Sequence, residues 1–330
     1  MMFAPELFML LGSLLVFFIS LGKTKAQSAK NATIVIAFIN VILCFICLGL
    51  EGTLFFEAYK VDMFSQLFKL FIAGGMLAVV LFGRQLKGID TAIRPEYYLF
   101  LLLSTLGLMM MVSSVEMLTL FIALELSSYS LYLLVPMRED CKGIHTQMEA
   151  AIKYIMFGVA ATGVMLFGMS YLFGLTGTTY FAEMLPKLHG MYTDPAAMVG
   201  ISMVLGGFFF KLGIFPFHFW VPDVYEGASN ETTSFIATVP KLGAVAIMIR
   251  IVTLVAPEGQ AVVNLLIILA VCSMFYGNLC ALVQKDIKRM LGFSGIAHAG
   301  YVLLGLLTLK DTGYATSMYY IFGYLVMNLA

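Results

Sequence analysis

Residues Phe208 to Gly227 read FFFKLGIFPFHFWVPDVYEG. Lys211 lies inside an apolar run, Pro216 follows five residues later, and Trp220, the single tryptophan, and Pro222 come next. A lysine deep in hydrocarbon costs about 2.5–3.5 kcal/mol on insertion scales. A proline inside a spanning helix frees backbone groups that protein or water must satisfy. The stretch therefore predicts a helix broken around Pro216 and Pro222, holding an ionisable group on a pathway through a bilayer.

Composition agrees. Of 330 residues, 61% are hydrophobic and 12% charged, and mean hydropathy is +0.96. A soluble domain is about 45–50% apolar and about 25% charged. The chain reads as an all-α polytopic membrane bundle in contact with lipid. Its formal net charge is zero, which gives no electrostatic footprint for nucleic acid. Cys44, Cys47, Cys141, Cys272 and Cys280 lack the spacing of a metal site or disulfide framework. The CxxC at Cys44 and Cys47 falls in an apolar run and reads as packing. The chain has no GxGxxG, Walker loop or iron–sulfur cysteine set, so nucleotide and electron chemistry are expected on other chains.

A spanning helix needs about 20 mostly apolar residues. Spans fall near 4–21, 32–50, 61–83, 96–114, 115–136, 148–174, 197–221 (broken), 232–255, 261–283 and 290–309, with an eleventh from Tyr314 to Ala330. The first lacks a basic n-region and reads as a retained span rather than a signal peptide. Loops after odd-numbered spans carry Lys23, Lys25 and Lys30, then Arg84, Lys87 and Arg94, then Arg138 and Lys142, then Lys285, Lys288 and Arg289. Loops after even-numbered spans hold Lys60, Lys187 and Lys310. That bias places the N-terminus on the non-cytoplasmic side. Short connections make successive helices antiparallel neighbours in one bundle.

Removing loop residues leaves Glu125, Lys153, Lys211, Lys241, Arg250 and His298 at membrane depth, with Lys69 a further candidate. Glu125 sits mid-span and is expected to pair with a lysine; the plainer reading is a structural ion pair. Glu149 precedes Lys153 by one turn, the favoured order for a helix pair. Lys153 is also close enough to the interface to snorkel. Lys241 follows Pro240, and Arg250, nine residues on, is expected to snorkel outward. Burial disfavours a charged lysine and a nearby carboxylate favours it, so such a lysine exchanges protons when its partner moves. Arginine, always protonated, cannot do this. His298, beside Ser294 and Tyr301, suits a water-linked relay, or else a helix–helix hydrogen bond. His218, between aromatics after the break, is expected to be structural, as are Arg250 and Glu149. No residue set reads as a metal site.

The segments LELSSYSLYLL, EAAIKYIMFGVAATG, FKLGIFPFHFWVPDVYEGA, VPKLGAVAIMIR and QKDIKRMLGFSGIAHAGYVLLG resemble subunit N of proton-pumping NADH–quinone oxidoreductase, respiratory complex I. The PFHFWVPDVYEGA run is the most specific part, closer to subunit N than to subunits L and M or Mrp-type antiporters. The resemblance implies an antiporter-like fold with inverted five-helix repeats. It divides the chain into three N-terminal helices (1–95), a first repeat (96–255) and the incomplete start of a second (256–330). It makes Glu125 the partner of Lys211 on the broken seventh span, Lys153 an additional lysine, and Lys241 a connecting one. It implies a translocase subunit of the bacterial-type inner membrane. Quinone, FMN and iron–sulfur clusters are expected on other subunits of the complex. Antiporter-like subunit M and small subunits K and J are expected as neighbours. Two departures stand out. Where the family usually has Ala-Pro-x-Pro, this chain has Ala228-Ser229-Asn230-Glu231-Thr232. And members of the resembled family have about fourteen spans, so the resemblance implies a longer protein with a second broken helix beyond Ala330. The rival readings are a subunit of a multi-chain sodium/proton antiporter and a non-transporting scaffold.

Overall fold

The structure, a computed structural model, describes residues 1–22, 26–83, 86, 88–139, 146–191, 194–254 and 260–330. Lys23, Lys25, Arg84, Lys87, Lys142 and Cys141, and the expected boundary at 255–256, lie outside the described residues. The helices are α1 (Ala4–Leu21), α2 (Ala26–Ile46), α3 (Met63–Phe82), α4 (Arg94–Ser113), α5 (Met117–Leu134), α6 (Thr146–Thr176) and α7 (Phe181–His189). They continue as α8 (Pro195–Leu212), α9 (Trp220–Gly227), α10 (Asn230–Leu254), α11 (Gln260–Leu282), α12 (Ile287–Leu306) and α13 (Asp311–Leu329). A hairpin of β1 (Gly52–Leu54) and β2 (Tyr59–Val61) joins α2 to α3, in the register Gly52 to Val61.

Among the described residues, nine helices are long and apolar enough to cross a membrane. The two C-terminal spans expected from sequence form α12 and α13. Lys288, Arg289 and His298 in α12, and Asp311, Asn328 and the tyrosines in α13, make these helices more polar than that set, yet both pack in the bundle, α12 on α11 and α13 on α10. The hairpin and the short helix α7 were not anticipated.

Hydrocarbon forces backbone groups to pair within each segment, so the apolar runs become helices. Their ends are set by side chains. Asp62 and Ser65 form a reciprocal capping box at the start of α3, Glu116 accepts from Leu118 and Thr119 N–H before α5, and Asp286 accepts from Arg289 N–H before α12. The segment that departs from the family's prolines has its own cap. Ser229 Oγ accepts from Thr232 N–H at 3.2 Å, and Ser229 O accepts from Thr233 N–H at 2.8 Å, which starts α10. In α10, 89% of the apolar window is buried, against 28% in α6 and α11. That puts α10 on the axis of the bundle and Lys241 with it.

Candidate proton-relay site

The expected break is real and lies between α8 and α9. Gly213 adopts φ +71°, and the N–H groups of Gly213 and Ile214 return to Phe210 O and Phe209 O, both at 3.0 Å. This is the hydrogen-bond pattern that closes a helix on a left-handed glycine. A Cβ at Gly213 would also stand 2.6 Å from Val221. Trp220 Nε1 donates to Phe210 O at 2.9 Å, and Phe215 N–H donates to Ser273 Oγ of α11 at 3.0 Å. The freed backbone of the Pro216 break is thus satisfied from α9 and α11, as the bilayer requires. Pro222 lies in the first turn of α9, where its missing N–H costs nothing.

Lys211 sits in the last turn of α8. The partial negative charge of a helix C-terminus favours a cation there. Its side chain is buried, and its Nζ has no hydrogen-bond partner. Glu125, on α5, is the carboxylate that acts on it electrostatically. The direct pair expected between them does not form: no N–O approach within 4.0 Å joins the two. Instead Glu125 Oε1 accepts from Thr162 Oγ1 of α6 at 3.0 Å. The carboxylate is anchored to α6 by a neutral hydroxyl, which leaves the lysine uncommitted.

Lys241 is buried on α10, one residue after Pro240. Its Nζ donates to Gly295 O at 3.1 Å and to Tyr324 Oη at 3.2 Å, and lies 5.0 Å from the Tyr324 ring centre. This placement of the two side chains depends on Gly295, because a Cβ there would meet Lys241 Nζ at 2.8 Å and Tyr324 Oη at 2.9 Å. His298 lies one turn along α12 and shares a hydrogen bond of 2.6 Å between Nδ1 and Tyr320 Oη. Lys241, His298 and Tyr324 line one cavity of about 10 Å³, roughly the room one water needs. The structure therefore brings Lys241 and His298 together. Sequence reading missed the tyrosines that join them. Tyr320 and Tyr324 are four residues apart on α13, on one helix face, and that spacing was the available signal.

Lys153 lies elsewhere. Its side chain is 39% exposed and pairs with Glu149 at 2.7 Å and Asp223 at 2.8 Å. Asp223 also pairs with Arg289 at 2.6 Å, and Arg289 with Glu226 at 2.9 Å. Arg138 Nη1 donates to Glu226 O at 2.7 Å and Gly227 O at 3.1 Å, and Lys288 Nζ donates to Ala228 O at 2.6 Å. These charges cap the C-terminal end of α9 and fasten it to α6 and α12. Asp223 and Glu226 stand three apart in the PDVYEG run, so a shared face was readable there.

His218 is buried against Phe215, Phe219 and Tyr276, with ring centres 4.5–5.5 Å away. Both ring nitrogens lack a hydrogen-bond partner, so it does not cap the break. Arg250 does not reach out to solvent as expected. It makes two hydrogen bonds to Asp62, at 2.8 and 3.1 Å, and donates to Val112 O at 3.0 Å. Burial alone would raise the Asp62 carboxyl; the Arg250 guanidinium and the Ser65 bonds override it and hold Asp62 below the ordinary aspartate value. Among the described residues, no three His, Cys, Asp or Glu gather as a metal site.

A bundle built around a helix interrupted just after a buried lysine, with a second buried lysine on its axis, is that of the antiporter-like membrane subunits. A family profile described as NADH:quinone oxidoreductase/Mrp antiporter, TM, matches residues 114–330. The chain is 51% identical over 328 residues to NADH-quinone oxidoreductase subunit N 2 of Opitutus terrae, covering 99% of this chain and 68% of that protein. It is 42% identical over 331 residues to the same-named protein of Syntrophobacter fumaroxidans, covering 99% and 69%. The chain belongs to the subunit N family of NADH-quinone oxidoreductase. It superposes on a chain of respiratory complex I from Thermus thermophilus with bound aureothin at TM-score 0.82 and 29% identity, over 98% of this chain and 68% of that one. A chain of the Mrp complex from Dietzia sp. DQ12-45-1b matches at TM-score 0.87 and 18% identity, over 99% and 63%, a likeness of fold.

Proposed function

We propose that this subunit carries protons across the bilayer through Glu125, Lys211, Lys241 and His298, driven by quinone reduction elsewhere in the complex. The observation that carries the reading is Lys211, a buried lysine on a helix end with no hydrogen bond of its own, within the field of a carboxylate held by Thr162. A lysine so poised gains or loses a proton when nearby charge shifts, because burial and the carboxylate oppose each other. Unit charges a few ångströms apart in a protein interior interact by a few kcal/mol, enough to pass the change along. Lys241, Tyr324 and His298 continue the path on the axis. The Lys153–Asp223–Arg289 clasp holds α9 in place at the end of the bundle away from the N-terminus. Lys153 acts there as a positioning residue that also lends protons to the path.

In this reading the N-terminus faces the non-cytoplasmic side of a bacterial inner membrane. Residues 1–95 supply the three N-terminal helices, 96–255 the first five-helix repeat and 256–330 the start of an inverted second. The redox cofactors belong to other subunits, and the membrane neighbours are subunits of types M, K and J. The test is Glu125→Gln in the assembled NADH-quinone oxidoreductase. Proton uptake into inverted vesicles, followed by dye quenching, is expected to fall at least threefold per NADH oxidised. An unchanged ratio in a fully assembled variant would remove Glu125 from the path.

A further inference from the structure

A second buried charge cluster lies among the first three helices, outside the path just described. Glu6 of α1 and Lys69 of α3 are 2.6 Å apart, both with 0% side-chain exposure. Tyr59 of β2 donates to the same oxygen, Glu6 Oε1, at 2.6 Å, and the Lys69 ammonium lies 5.0 Å from the Tyr59 ring centre. Cys44 of α2 and Cys47, in the turn that follows it, are ionisable side chains within the field of the pair. The cluster is rich in polar atoms without partners: Glu6 Oε2, both side-chain polar atoms of Gln66, and Ser113 Oγ. Lys69 Nζ has Glu6 as its ion-pair partner and makes no further hydrogen bond. Gln66 is one turn before Lys69 on α3, and Ser113 ends α4 beside Tyr59. A packed interior leaves very few polar atoms unpaired, and a buried pair held only for stability is usually no better than an apolar one. Four such atoms beside one Glu–Lys pair are the polar lining that a site holding water and protons would need.

A second observation lies directly over it. The turn between β1 and β2 places three successive non-glycine residues, Phe55, Phe56 and Glu57, at φ +53°, +55° and +68°. Left-handed backbone in such residues costs about 1 kcal/mol or more each and collects at switching and binding sites. Phe55 and Phe3 pack edge-on against Tyr59, at 6.1 and 5.6 Å, and close the cluster from the end of the bundle that carries the N-terminus. On β2, Tyr59 and Val61 lie on the buried face and Lys60, 53% exposed, on the other.

We infer that Glu6, Lys69 and Tyr59 form a second proton-exchanging site, hydrated through Gln66 and Ser113, that opens to the aqueous phase on the N-terminal face beneath the strained hairpin. It takes up the proton on the Glu6 carboxylate or the neutral Lys69 amine and passes it through the Tyr59 hydroxyl. The inference rests on the chain's being part of a proton pump, and the two fail differently. If Lys211→Met leaves pumping intact, the pump reading falls; if that variant loses pumping and the variants below keep it, this site alone falls.

The test uses the assembled oxidoreductase in inverted vesicles and two variants. Lys69→Arg keeps the charge and the ion pair but cannot release its proton. Glu6→Gln with Lys69→Met keeps the shape and removes both charges. A structural pair tolerates Lys69→Arg, and the neutral pair should cost it little. The site proposed here predicts that each variant that assembles pumps at most half as many protons per electron as wild type. Wild-type ratios in either variant would overturn it. Failure of both to assemble would also overturn it, by making the pair a structural clamp.

Discussion

Gly295→Ala separates the position of Lys241 from the packing of the bundle. A methyl group at Gly295 would lie 2.8 Å from Lys241 Nζ and 2.9 Å from Tyr324 Oη. Both are ends of flexible side chains, so the helices need not part. The lysine must instead leave Gly295 O, now 3.1 Å away, and its hold on Tyr324 loosens. A hydrogen bond from a charged group contributes about 1.5–3 kcal/mol. At about 1.4 kcal/mol per decade, the present arrangement becomes roughly tenfold to a hundredfold rarer. The control is Gly300→Ala, whose methyl would meet Ala270 O at 2.8 Å and Met274 N at 3.1 Å, both backbone. Native gels should show Gly295→Ala assembled and Gly300→Ala depleted. Proton uptake per NADH oxidised should fall about tenfold in the former. Full pumping by an assembled Gly295→Ala complex would refute the role given to Lys241.

Three further outcomes are expected. Trp220→Phe removes the indole donor to Phe210 O, which keeps the Gly213 N–H, so one hydrogen bond is lost at a cost of about 0.5–1.5 kcal/mol; the assembled complex should dissociate at slightly lower temperature on native gels, and an unchanged profile would contradict the part given to the indole in closing the break. A double-mutant cycle on Asp223→Asn and Arg289→Gln, read by thermal unfolding, should give a coupling of about 0.2–1 kcal/mol, as for a partly exposed pair; zero coupling would mean the clasp holds nothing. Because Arg250 holds the Asp62 carboxyl below its ordinary pKa, the stability that pair supplies is present above that ordinary value and lost as pH falls through the lowered one. The gap in Tm between wild type and Asp62→Asn should hold down to pH 3.8 and close below it, and a gap already closed at neutral pH would contradict the pairing.

The helical bundle and its break were legible because hydrocarbon allows a chain few choices, and the Lys211 to Pro222 run states its break in residue types. Burial of Lys211 and Lys241 followed from their depth in apolar runs. Contact between Glu125 and Lys211 did not follow, because spacing along two helices says nothing of their relative rotation, and Thr162 of α6 took the carboxylate. Lys153 was open to two readings, a buried lysine or one snorkelling to the interface beside Glu149; it stands in the second turn of α6, where Glu149 and Asp223 reach it. Glu6 was not among the residues read at membrane depth, since its burial depends on α3 and the hairpin closing over it. Tyr320 and Tyr324 carried no signal of their own, because their meeting with His298 and Lys241 depends on how α13 packs against α10 and α12.

The central claim is that protons pass through the lysine at the end of α8. The most direct measurement is the number of protons moved per electron by Lys211→Met in a fully assembled, quinone-reducing complex. The account predicts that this ratio drops while electrons still reach quinone. A wild-type ratio in that variant would contradict it.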